Sequence, residues 1–132
     1  MRKRTAVLTV LAAIVALVVT TGAFAFIGGL TYDKTAQLTV SRTNATVTGL
    51  VQCDLSDVDV SIFVNVVQGK GRQLIIGSGQ TTVLCNGSVE PWTVVVSTNQ
   101  GQTFQPGSAT ALVSASTITD NKSVSGPIHL TN

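Results

Sequence analysis

Between residues 58 and 67 the chain alternates. Val58, Val60, Ile62, Val64 and Val66 fall on one face, and Asp59, Ser61, Phe63, Asn65 and Val67 on the other. A period of two sends successive side chains to opposite sides of an extended chain, so the segment predicts a half-buried β-strand. Shorter runs of Val, Thr and Ser occupy 37–41, 45–53, 73–77, 81–85, 92–97, 108–116 and 123–130, giving eight candidate strands in all. In the run at 92–97, Trp92, Val94 and Val96 share a face while Val95 is apolar on the other, the pattern of a central strand. Turn signals recur along the chain: Gln68-Gly69-Lys70-Gly71, Asn99-Gln100-Gly101 and Pro106-Gly107 each offer a glycine where positive φ costs little. This is the rhythm of a sandwich or a barrel. Loops this short join antiparallel neighbours, because a parallel crossover needs a much longer connection.

The N-terminal segment breaks the pattern. A basic cluster, Arg2-Lys3-Arg4, precedes an uncharged apolar stretch at 6–19 and then the small-residue pattern Ala23-Phe24-Ala25. That order reads as a secretory signal peptide cleaved between Ala25 and Phe26. The stretch is also long enough to cross a bilayer, so an uncleaved anchor is the alternative. The domain plan is a signal peptide at 1–25, with its helix, an irregular leader at 26–35 containing Gly28-Gly29, and one β-domain at 36–132. A bacterial-type secreted protein is expected, released into the medium or retained at the wall, with no membrane contact after cleavage.

Export changes the meaning of the charge. Without Arg2, Lys3 and Arg4, five basic residues face six acidic ones, and the mature chain is close to neutral. A nucleic-acid partner would require a basic footprint that this chain lacks. Two cysteines, Cys53 and Cys85, are expected to form a disulfide in an oxidising compartment. A loop of about 33 residues closed in this way is worth roughly 3 to 4 kcal/mol in the chain-entropy model. With the lone His129 the two thiols fall short of a zinc set, and no cofactor or metal is expected.

Catalytic chemistry is sparse. A hydrolase needs a nucleophile with a base in reach, but His129 lies in the last strand and Gly77-Ser78-Gly79 is not a nucleophile elbow. Asp54, Asp57, Asp59, Glu90 and Asp120 supply carboxylates without a spacing that pairs any two across a cleft. Asp57 and Asp59 lie on one side of a strand start, where carboxylates can hold Ca²⁺, but Asp54 and Asp57 read as turn formers in preference, since the glycine turn and closing glutamate of a Ca²⁺ loop are missing. Gly69-Lys70-Gly71-Arg72 is a solvated turn, too short for a phosphate cradle. Asn44, Asn86 and Asn121 begin glycosylation-type sequons that bacterial secretion leaves as turn chemistry. The chain is therefore expected not to be an enzyme. Trp92 is expected in the core near the cysteine pair.

The succession Val47-Thr48-Gly49-Leu50-Val51-Gln52-Cys53, the alternating strand ending Val67-Gln68-Gly69, Cys85-Asn86-Gly87 followed by Trp92-Thr93-Val94, and Phe104-Gln105-Pro106-Gly107 before Ala109-Thr110-Ala111 resembles uncharacterised secreted immunoglobulin-like domains of actinobacteria-type bacteria. The likeness covers most of 45–130 and implies an antiparallel immunoglobulin-like β-sandwich of about seven to eight strands, with no catalytic residue. Trp92 departs from antibody-type domains by following the second cysteine instead of lying between the two. Size and export route are also similar to those of the secreted chromophore-binding apoproteins of antibiotic producers, which carry two disulfides. The functional expectation is a binding or adhesion module for an extracellular protein or a cell-wall polymer. The alternative is a self-associating matrix or surface-layer component. Phe63 marks the interaction surface if a sheet face is used, because the alternation turns this ring away from the core; the alternative is that the leader around Tyr32 or a neighbouring strand covers it.

Overall fold

The computed structural model describes residues 27–54 and 56–132, and at 56, 57 and 70 the backbone alone. The cleavage site at Ala25 and Phe26, with the signal segment before it, lies outside the described residues. Eight strands form: β1 (Ile27–Tyr32), β2 (Thr35–Leu38), β3 (Asn44–Cys53), β4 (Ser56–Lys70), β5 (Gln73–Asn86), β6 (Val89–Thr98), β7 (Gly107–Ser116) and β8 (Asn121–Thr131).

The all-β expectation holds, but the immunoglobulin-like sandwich does not. The sheet closes on itself in the order β2-β3-β6-β5-β4-β7-β8 and returns to β2, a seven-stranded barrel with β1 lying along β3 outside the ring. The barrel is mixed, because β2 pairs parallel with β8 through Thr35 with His129, Ala36 with Leu130 and Gln37 with Thr131, while every other ladder is antiparallel. The short loops join antiparallel neighbours at β2–β3, β4–β5, β5–β6 and β7–β8, but not at β3–β4 or across the Asn99-Gln100-Gly101 and Pro106-Gly107 signals, which connect β6 to β7, a strand it does not pair with. The closing pair joins strands from opposite ends of the chain, which no turn specifies.

The leader at 26–35 is also more ordered than expected. Ile27–Tyr32 pairs with the second half of β3, from Ile27 opposite Cys53 to Tyr32 opposite Gly49, and the Gly28-Gly29 pair is absorbed as a shift of register. Leu38 and Gln37 then pair with the first half of β3. The runs at 73–77 and 81–85 are one strand, β5, and its interruption by Gly77 and Gly79 has a packing cause. A Cβ at 77 would stand 2.7 Å from Phe104 Cζ, and one at 79 would meet the Val95 backbone and lie 2.8 Å from Val94 Cγ1. The glycines let β6 and the ring of Phe104 approach the strand closely.

Alternation places Val60, Ile62, Val64 and Val66 fully inside, with Val47, Val51, Trp92, Val94, Val96, Val113, Ile128 and Leu130 around them. Val95, apolar on the outer face of β6, remains about half exposed, so β6 is solvated on that side. The inward series of β4 continues to Gln68, the one buried polar side chain among the described residues. Its amide replaces a strand partner: Nε2 donates to the carbonyls of Gln105 (2.8 Å) and Ser108 (3.3 Å), and Oε1 accepts from the Gln105 N–H (2.8 Å). The loop at 99–106 is pinned from the other side by Gln102, which donates to Leu74 O and accepts from Ile76 N–H. Between these anchors Phe104 is driven, fully buried, into the end of the barrel. Cys53 and Cys85 are joined by a disulfide, Cα–Cα 5.6 Å, linking β3 to β5.

Candidate functional site

Phe63 lies on the outer face of β4 and is 42% exposed, the one exposed aromatic ring among the described residues. Tyr32, Trp92 and Phe104 are all buried. The strand register fixes its neighbours. Phe63 stands opposite Ser114 and Asn65 opposite Leu112 on β7. Ser114 in turn faces Ser123, and Leu112 faces Ser125, on β8. Residues that share a face in adjacent strands are in reach of one another, so these six side chains form a continuous patch.

Beside Phe63 this patch is hollowed into a groove of about 310 Å³ lined by Asn65, Leu112, Val113, Ser114, Ser123, Val124 and Ser125. Leu112 is 45% exposed at its wall. The lining holds hydroxyls that donate and accept, one carboxamide, and apolar walls, with no ionisable side chain. Such a groove can hold a neutral, hydrogen-bonding chain against an apolar rim. It offers no group for proton transfer. Leu112 and the serines were not foreseen in the sequence, since exposed Ser and Leu on a strand look like ordinary surface.

The other sequence candidates are dispersed. His129 lies on β8 between Ser108 and Thr35, its N–H donating to Lys34 O at 2.7 Å. Ser78 lies on β5 opposite Asn65 and Ser97, and β4 and β7 intervene between the two strands. Asp120 accepts from the Ile27 N–H (2.9 Å) and Glu90 from Ser88 Oγ (3.4 Å), so these carboxylates hold turns and strand ends. Asp54 and Asp59 are exposed. Among the described residues no three His, Cys, Asp or Glu side chains cluster as a metal site would need. Gly71 takes the positive φ of the β4–β5 turn, 61°. Asn86 accepts from Ser88 Oγ at 2.6 Å in the β5–β6 turn, while Asn44 and Asn121 open β3 and β8.

Trp92 is in the core as expected, stacked over Gly49 of the neighbouring strand. Its indole Nε1 is buried without a hydrogen-bond partner. Comparison with models of known protein families and with curated protein sequences found no match to the chain.

Proposed function

We propose that this chain is an exported, non-enzymatic binding module that meets an extracellular protein or a cell-wall polymer through the outer face of β4, β7 and β8. The observation that carries the reading is Phe63. A large ring stands exposed beside an uncharged groove, while the other described aromatics are spent on the core. Aromatic rings at a partly wet surface supply contact area at low entropic cost, and the adjacent hydroxyls supply hydrogen bonds. The disulfide fits an oxidising compartment, as the export reading requires.

The test is capture on isolated cell-wall material and from culture fluid of the producing organism, comparing the native protein with a Phe63→Ala, Leu112→Ser double variant. Retention of a discrete partner by the native protein and its loss in the variant supports the reading. Equal retention by both would place recognition elsewhere.

A further inference from the structure

The strand directions sort most of the charged side chains between the two ends of the barrel, some exposed and some, such as Arg42 with its Nη1 donating to Gln105 Oε1 at 3.5 Å, half-buried. At one end lie the β2–β3 turn with Arg42, the β4–β5 turn with Arg72, and the loop at 99–106. At the other lie Asp54 after β3, Asp59 near the start of β4, Glu90 at the start of β6, and Asp120 with Lys122 around the β7–β8 turn. Lys70 and Asp57 occupy the matching ends of β4 in the sequence. Arg42 and Arg72 thus lie at one pole and Asp54, Asp59, Glu90 and Asp120 at the other, where Lys122 is the one basic residue among those described.

Each pole also carries one apolar side chain with no cover. Val40 at the basic pole and Ile118 at the acidic pole are both fully exposed. Val40 is held in that position by its turn. Arg42 takes a left-handed φ of 60°, its N–H donates to Thr39 O (3.0 Å), and Ser41 Oγ hydrogen-bonds Thr43 Oγ1 (2.9 Å). The acidic pole offers a recess to match. A groove of about 510 Å³ there is lined by Val58, Asp59, Ser61, Ser116, Thr117 and Ile118. The molecule therefore carries, at opposite ends, an apolar projection two residues from an arginine and a recess walled by a valine, an isoleucine and an aspartate.

We propose that copies of this chain associate head to tail, the Val40 turn of one copy seating in the Val58–Ile118 recess of the next with Arg42 facing Asp59. A contact between two different patches of one chain does not close on itself after two copies, so it builds open chains. Charge complementarity commits the recess to a second copy over an unrelated apolar ligand, and it makes the association sensitive to salt. Strung in this way, many copies would display the same outer face repeatedly.

Sedimentation velocity on the protein purified in its exported form, over a wide concentration range, tests the proposal. At low salt the expected result is concentration-dependent growth beyond a dimer, weakened by about tenfold or more at high salt. Val40→Asp and Ile118→Asp each remove one partner surface at a fully exposed site, and both should keep the native circular dichroism and disulfide. Each alone should stay monomeric, whereas an equimolar mixture should stop at a 1:1 dimer, because one intact projection and one intact recess remain. A native chain that is monomeric throughout, or association unchanged in both variants, would overturn the proposal.

Discussion

Gly49 and Trp92 face each other across β3 and β6, and the indole occupies the space that a side chain at 49 would need. A Cβ on Gly49 would lie 2.7 Å from Trp92 Cε2 and would also press on the carbonyl of Thr31 in β1. One glycine therefore lets the largest core side chain lie flat while the first strand closes over it.

Gly49→Val should accordingly destabilise strongly, by more than the roughly 1 to 3 kcal/mol typical of overpacking, because backbone on one side and a fixed ring on the other leave no room to relax. Urea unfolding followed by the fluorescence of Trp92 reads both the stability and the displaced indole. An unchanged midpoint would show that the two residues are not packed in this way.

Phe63 and Ile62 are consecutive, yet they stand on opposite faces of β4, one 42% exposed and the other fully buried. Ile62→Ala should cost about 2 to 5 kcal/mol and Phe63→Ala less than about 1. Denaturant unfolding of the two variants measures the contrast, and a large loss from Phe63→Ala would mean that the ring is covered and cannot serve as a contact surface.

Gln68 shows what was legible in the sequence and what was not. The alternation from Val58 to Val66 gives the inward face of β4 directly, and a glutamine at the next inward position is itself a signal, since a polar residue in a core row needs a partner. What the sequence does not show is that the partner is the Gln105 backbone, 37 positions away. Barrel closure was hidden for the same reason: Thr35 meets His129 through long-range register, whereas turns and alternation report only local geometry. The outer patch is intermediate. Phe63 could be picked out because a ring on a polar row is conspicuous, but Ser114, Ser123 and Ser125 become a groove only once β4, β7 and β8 are side by side.

Gln68→Leu should leave the N–H and carbonyl of Gln105 without their bonds inside the protein, at a cost of about 1 to 3 kcal/mol for the unmet polar groups. Hydrogen exchange at the Gln105 amide should accelerate well beyond that of β4 itself. Uniform acceleration of both would point to global destabilisation instead of a released loop.

The disulfide joins strands that do not neighbour each other, since β6 lies between β3 and β5. Cys53→Ser with Cys85→Ser should lower stability by about 2 to 5 kcal/mol, the usual range for a small secreted domain. Thiol titration of the native protein should find no free sulfhydryl, and two titratable thiols in folded material would contradict the pairing.

The most direct test of the proposed binding face is site-resolved. Amide resonances of the isotope-labelled protein, followed as solubilised cell-wall fragments or a captured protein partner is added, should shift first at Phe63, Asn65, Leu112, Ser114, Ser123 and Ser125. Shifts confined to β1, β3 and β6, on the far side of the barrel, would contradict the assignment of recognition to the face around Phe63.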